Sequence, residues 1–550
     1  MKQINRAEKH HFSSKKEGLS IIAFAIIFAL AGVLRANAAD TPAIPVGMNV
    51  PSLNYYTPAL AFSDVMSTAS DLLSYSLTKD DWDSQVMKSI PVDPQGWPLE
   101  IPYSVGGDPQ GFRFLVNNYY KGDYVVLFDG EGEMTWGGVD SKVSGGLTYL
   151  FLNGKGGNVW ASVSRSVKGN HIRNMRIVPA DFAEKPERLA RFDPLYVKGL
   201  QPFHAIRFMD WTNTNNSEQK EWADRTRPDY YSQGAKKGMS WEYAIDLANA
   251  VHADAWICVP HQASDDYIRK LAQLFLKKLD PGLKLYVEYS NEIWNWGFQQ
   301  SQYVIKNAPG AEPHVVQGLR EIGGKYCGNP EEACHPEKDA WMIARTFKIF
   351  SEVWKDQRKR LVKVAAVQHA WVDNTRRILK YLFEDDGIGA DAVSPAGYFG
   401  FTEENHKTWN AMDPKKVTPE MILAGAGEAM EKNEMQWSRE TAKWAKAYNV
   451  DYVVYEGGQH MQPFNQGEWG YNQAVWDAQI HPGMYDLYMK NFASMQEVGC
   501  KLFMAFSYVG LREIRWGSWG HLERLEDVNA KDLKEIAPKY KALLDANTPK

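Results

Sequence analysis

Two acidic residues stand out for the chemistry their surroundings could support. The chain reads Val287-Glu288-Tyr289-Ser290-Asn291-Glu292-Ile293-Trp294 at one place and Val453-Val454-Tyr455-Glu456-Gly457-Gly458-Gln459-His460 at another. In each, a carboxylate directly follows a short apolar run. A pair of carboxyl groups facing each other is what glycoside hydrolysis requires: one stays protonated to donate to the leaving oxygen, and the other is ionised to attack the anomeric carbon. A separation of about 5–5.5 Å leaves no room for water and gives a retaining reaction, whereas about 6.5–9.5 Å gives an inverting one. Glu288 competes as a third carboxylate. On an extended chain it shares a face with Ser290 and Glu292, and its expected role is structural, lower in the fold.

Residues so far apart in the chain meet only if the fold brings strand ends together. Eight short apolar runs read as strands: 46–50, 205–210, 255–259, 283–289, 363–367, 390–394, 452–455 and 502–506. Amphipathic stretches at 241–252, 266–279, 339–360 and 484–498 read as helices between them. Alternation of this kind makes a parallel sheet, and eight units predict an α/β protein built on a (β/α)8 TIM barrel. The competing open, doubly wound sheet lacks its usual glycine-rich loop after the first strand. From 91 to 179 the rhythm changes to β-rich runs with Asp129-Gly130 and Asn153-Gly154 turns, so an antiparallel β-sandwich-like domain is expected as an insertion. The barrel then comprises 40–90 and 180–550.

The barrel layout, the Asn291-Glu292 step after the fourth strand and Glu456 after the seventh together resemble the clan A retaining glycoside hydrolases, which include cellulases, mannanases and related β-glycanases. The resemblance covers the barrel portion. It implies Glu292 as acid/base, Glu456 as nucleophile and Asn291 as a ligand of the sugar 2-hydroxyl, a contact that strengthens in the transition state. It also matches Arg207, on the second strand, to an arginine that contacts the nucleophile. Such an arginine in an apolar strand needs a carboxylate partner, and the pairing is expected to hold Glu456 ionised. Tyr398 matches a strand-six tyrosine that bonds the nucleophile, although Ala396 stands where the clan has a histidine. His261 resembles a polar histidine near the glycone. At strand eight Phe506-Ser507 replaces the usual tryptophan, which leaves Trp516 or Trp519 to supply a stacking platform. Asp210 and Trp211, Trp294 and Trp296, and His369 and Trp371 are further cleft candidates, each with a packing role as the alternative.

Composition narrows the remaining classes. The 550 residues are 44% hydrophobic and 23% charged, which suits a globular core. With 62 basic against 67 acidic residues there is no basic footprint for nucleic acid. Twenty Trp and twenty-seven Tyr suit a protein that stacks rings on sugars, and equally a large core. Lys15 and Lys16, an apolar run from Leu19 to Leu34 and the Ala36-x-Ala38 step read as a secretory signal over 1–38, with an uncleaved anchor as the alternative. The expected location is periplasmic or extracellular. There, Cys327 and Cys334 would form a short disulfide rather than a metal site, and Cys258 and Cys500 would be buried thiols. No zinc spacing, phosphate loop or Gly-x-Ser-x-Gly elbow is present, so no metal or cofactor is expected. The expected partner is a polysaccharide or oligosaccharide, most simply a β-glucan resembling cellulose. A non-hydrolytic carbohydrate-binding protein and a transglycosylase are the alternatives.

Overall fold

The computed structural model describes residues 41–307 and 335–550, and the described residues from Pro42 onward form one compact unit. The proposed signal (1–38) and the Cys327–Cys334 disulfide lie outside the described residues. Among the described residues, no helix is long and apolar enough to cross a membrane.

In chain order the strands are β1 (Val46–Asn49), β2 (Leu73–Ser76), β3 (Tyr103–Val105), β4 (Asp108–Val116), β5 (Lys121–Asp129), β6 (Gly132–Gly137), β7 (Asp140–Ser144), β8 (Leu147–Asn153), β9 (Val159–Ser166) and β10 (Arg173–Pro179). They continue as β11 (Ala205–Arg207), β12 (Asp254–Val259), β13 (Leu285–Tyr289), β14 (Leu361–Ala366), β15 (Ala392–Ser394), β16 (Gly397–Phe399), β17 (Asp451–Tyr452), β18 (Val454–Gln459) and β19 (Phe503–Ala505).

Ten of these form a parallel sheet in the order β16-β18-β19-β1-β11-β12-β13-β14-β15-β17. Only Pro395 and Ala396 separate β15 from β16, and only Val453 separates β17 from β18. Because β15 pairs with β17 and β16 with β18, the two ends of the order belong to the same two staves. The ten strands thus make an eight-stave, TIM-barrel-like ring. Its strands are buried on both faces, which is why they read as continuous apolar runs. The chain end seals the ring at β1: Ile44 N–H donates to Ala546 O (3.0 Å), and Thr548 N–H to Ile44 O (3.2 Å).

Local chemistry sets the outer helices. Ser264 caps the helix Asp265–Lys278 by accepting from Tyr267 N–H at 3.2 Å, with two aspartates in its first turn and two lysines in its last. That arrangement complements the helix dipole at both ends. The helix Trp241–Val251 stops at His252, whose left-handed backbone (φ 51°) turns the chain into β12.

The β-rich stretch forms two antiparallel sheets, β10-β5-β8-β7 and β2-β4-β9-β6, with β3 paired to β4. Gly145 and Gly146, both at positive φ, make the two-residue turn between β7 and β8. The pairing begins at β2, within the 40–90 stretch read from sequence as barrel. That strand was hard to read because its alternation is inverted: Ser74 and Ser76 are buried while Leu73 and Tyr75 are half-buried. The buried serines are satisfied by Val86 N–H (2.9 Å) and the Asp108 carboxylate (2.9 Å).

The loop after β11 leans on this region. Tyr231 N–H donates to Gln95 O (3.0 Å), Gln233 N–H to Ser67 O (2.7 Å), and the Tyr231 hydroxyl accepts from Leu72 N–H (3.0 Å).

Candidate active site

The site grows from a fully buried cation. Arg207 ends β11, opposite Asn49 at the end of β1 and Trp256 in β12. A guanidinium without water must have its N–H groups paired. Nε donates to Glu288 Oε2 (3.0 Å), and Nη2 to both Glu288 oxygens (3.0 and 2.9 Å) and to Asn291 Oδ1 (2.8 Å). Nη1 donates to Asn49 Oδ1 (3.1 Å) and Glu456 Oε2 (3.2 Å).

Glu288, in β13, is held further by Trp256 Nε1 (2.8 Å) and by Cys258 Sγ (3.3 Å). It is only 1% exposed, so its role is to anchor the arginine. Cys258 and Cys500 are both free and buried. Cys258 therefore contributes a hydrogen bond that its apolar run did not suggest, and burial pushes its thiol well above the usual range.

Beyond β13 the backbone folds sharply inward. Ser290 and Glu292 both adopt left-handed φ (54° and 42°), on either side of Asn291. Two such non-glycine residues cost about 1–3 kcal/mol each and persist only where surrounding contacts enforce them. Here Ser290 N–H is held by Val259 O (2.8 Å), and the Asn291 carbonyl accepts from Gln300 Nε2 (2.8 Å). The Asn291 amide donates to Asn215 Oδ1 (3.1 Å) in the loop after β11. Glu292 is partly exposed; it accepts from the Tyr455 hydroxyl (Oε1, 3.2 Å) and from Asn295 Nδ2 (Oε2, 2.8 Å).

Tyr455 and Glu456 are neighbours on β18, with Tyr455 O accepting from Asn49 Nδ2 (3.1 Å). The strands around them approach closely. A Cβ on Gly457 would lie 2.6 Å from the Phe503 ring and 2.8 Å from the backbone of Gly397. The Glu456 side chain is 8% exposed. Burial pushes its carboxyl well above the usual range, the charges of Glu292, Asp210 and Glu288 push the same way, and Arg207 opposes them. Arg207's pull toward the ionised form is thus opposed by burial and by three neighbouring carboxylates. Its hold on Glu456 is also limited geometrically: Glu288 takes Nε and shares Nη2 with Asn291, and Glu456 shares Nη1 with Asn49.

Tyr398, on β16, interacts through its phenol with Glu456; burial and the two glutamates raise that phenol well above its usual range. Its ring meets Trp519 (5.9 Å), His460 (5.4 Å) and Phe506 (6.4 Å) edge-on.

Glu292, Glu456, Asn291, Arg207 and Tyr398 thus come together at the C-terminal ends of the strands, and Trp519 joins them through Tyr398. Trp516 is 55% exposed, its ring covered by the Arg515 guanidinium at 4.7 Å. His261 is buried against Tyr303 (5.2 Å); burial lowers its imidazole to about 4, and Nδ1 has no hydrogen-bond partner among the described residues. Neither contacts the carboxylate pair. Trp211 belongs to the core, stacked on Phe62, Phe192 and Tyr196.

Sequence reasoning passed over Tyr455 and Asn49. The available signal was position alone: one adjoins Glu456, and the other is the last polar residue of the first strand. Among the described residues, no group of three or more His, Cys, Asp or Glu could hold a metal ion.

No family model and no curated protein matches the chain. Among solved structures, GH10 from Paenibacillus barcinonensis is 14% identical over 64% of this chain and 91% of its own, with a TM-score of 0.33. The family 51 α-L-arabinofuranosidase AbfB from Bifidobacterium longum is 11% identical over 57% and 61%, at 0.34. A double mutant of the β-glucosidase from Trichoderma harzianum is 12% identical over 63% and 86%, at 0.30. The chain is similar to these glycoside hydrolases only at a level that carries no argument about the site, and the functional reading rests on the geometry above.

Proposed function

We propose that the chain is a secreted, retaining glycoside hydrolase that cleaves β-glycosidic bonds within a polysaccharide, a β-glucan resembling cellulose being the simplest substrate. The observation that carries this reading is the network around Arg207, which ties Glu456, Asn291 and Glu288 into one buried cluster while Tyr455 bridges to Glu292.

In this reading the Glu292–Glu456 pair carries one proton, because two neighbouring anions repel. An arriving glycosidic oxygen offers Glu292 a hydrogen bond for that proton. The positive charge developing at the anomeric carbon stabilises the Glu456 anion at the same moment. Glu456 attacks, Glu292 protonates the leaving oxygen, and a glycosyl ester forms on Glu456. Glu292 then removes a proton from water, which attacks the anomeric carbon and frees Glu456. Arg207 and Tyr398 orient Glu456, and Asn291, fixed by Arg207 and Asn215, is poised for the sugar 2-hydroxyl. The β-rich stretch extends the cleft.

Hydrolysis of soluble β-glucans, β-mannans and xylans across pH tests the reading, with Glu456→Gln as the control. The expected result is a bell-shaped profile governed by two carboxyl groups on at least one polymer, abolished in the variant. Binding without hydrolysis would instead mark a carbohydrate-binding protein. Longer products formed only when acceptor sugar is added would mark a transglycosylase.

A further inference from the structure

A cavity of about 1340 Å³ opens between the loop after β11 (residues 210–237) and residues 71–96 of the β-rich stretch. It exceeds the roughly 300–1,000 Å³ that holds a drug-sized ligand. Two of its lining residues tie it to the carboxylate pair. Asp210 is close enough for its charge to act on Glu456, and Asn215 accepts from the Asn291 amide at 3.1 Å.

Most polar groups on its wall are already engaged. Asp93 pairs with His171 (2.9 Å), Glu218 with Lys236 (3.0 Å), and Asp224 caps its own turn by accepting from Glu221 N–H (2.7 Å). Asp210 differs. It lies three residues beyond Arg207, is only partly exposed, and among the described residues has no hydrogen bond or ion pair to its carboxylate. A half-buried carboxylate on a cavity wall whose oxygens meet no protein partner is free to accept hydrogen bonds from a ligand.

We propose that this cavity binds several successive sugar units of an uncharged glycan, with Asp210 accepting hydrogen bonds from hydroxyls of the sugar nearest the carboxylate pair. The proposal rests on the glycosidase reading for the identity of the ligand as a glycan. The exclusion of acidic glycans has its own basis: six carboxylates and three lysines line the cavity, and one of the lysines is paired with Glu218. A uronic-acid chain would meet like charge along the wall.

The test uses Glu456→Gln, in which substrate is bound without turnover, titrated calorimetrically with β-1,4-linked gluco-, manno- and xylo-oligosaccharides of two to six units. Oligogalacturonates of matched length serve as the charged comparison. Affinity for at least one neutral series is expected to rise at least tenfold between two and four units. Adding Asp210→Asn should lower it at least tenfold, and Tyr230→Ala, on the cavity wall, should lower it for the longer chains only. Thermal melting of each variant confirms that it is folded.

Affinity independent of length, unchanged affinity in both added variants, or no binding of any neutral series would overturn the proposal. Oligogalacturonate binding as tight as the best neutral series would overturn the uncharged class. The two readings fail separately: a wild-type chain that hydrolyses nothing while Glu456→Gln binds in this length-dependent way refutes the hydrolase alone. Hydrolysis without length dependence refutes the cavity alone.

Discussion

Arg207 presents Nε and Nη2 to Glu288 at 2.9–3.0 Å but only Nη1 to Glu456, at 3.2 Å. Its strongest partner is therefore the carboxylate deep in the barrel rather than the one proposed to react. Glu288 fixes the arginine, and the arginine in turn fixes Asn291 and orients Glu456. Buried ion pairs of this kind contribute little net stability, because desolvation offsets attraction, yet removing one partner leaves a costly lone charge.

Arg207→Met should consequently destabilise the fold by about 3–5 kcal/mol, mostly through the stranded Glu288. The double variant Arg207→Met/Glu288→Met should recover part of that loss. Chemical denaturation of the wild type, Arg207→Met, Glu288→Met and the double variant measures it, and a double variant as unstable as the sum of the two singles would contradict this coupling.

Replacing Glu292 by Gln removes the proposed proton donor while keeping the side chain's shape. Hydrolysis of polysaccharide should fall by about 10²–10⁴-fold. Aryl glycosides whose leaving group departs without protonation should suffer far less in the first step. Equal loss on both substrates would remove Glu292 from the acid role.

The acid limb of the pH–rate profile should lie above the ordinary glutamate value of 4.5, because burial and neighbouring carboxylates raise Glu456. As pH falls through that raised value Glu456 becomes protonated and can no longer attack. Tyr455→Phe removes the 3.2 Å hydrogen bond to Glu292 and should lower kcat about tenfold, an amount typical of one hydrogen bond. It should also displace the basic limb. An unmoved profile in that variant would make Tyr455 a packing residue only.

Asp210 offers a stability test independent of catalysis. Burial raises its carboxyl from 3.8 to about 6. Between those values the folded chain holds a proton that the unfolded chain has lost, so the stability this group contributes is present below pH 3.8 and lost as pH rises through 6. Asp210→Asn lacks that loss. It should therefore be more stable than the wild type at pH 7 by about 1–3 kcal/mol, with the difference vanishing near pH 4. Melting temperatures at the two pH values check this.

Much of the barrel was legible because buried parallel strands need unbroken apolar runs, and all eight runs coincide with staves of the ring. The boundaries moved where backbone geometry, not hydrophobicity, ends a strand: the expected strand at 205–210 stops at Arg207, and Met209 and Asp210 already lie in a turn. β2 escaped notice because its buried side chains are serines. At the site, residue type and strand position pointed to Glu292, Glu456, Asn291, Arg207 and Tyr398. The left-handed backbone at Ser290 and Glu292, the reach of Asn49, and the Tyr455 bridge depend on distances between strands far apart in sequence, and no local pattern encodes those. Likewise, Arg207 in an apolar strand announced a carboxylate partner but not that Glu288 would hold most of it.

The most direct test of the double displacement is to incubate the enzyme with activated 2-deoxy-2-fluoro glycosides of the sugars it hydrolyses and to identify the labelled peptide by mass spectrometry. A one-to-one adduct on the peptide containing Glu456 is expected, with turnover stopped. A label on Glu292 or Glu288, or an enzyme that hydrolyses the parent glycoside with inversion and takes up no label, would contradict it.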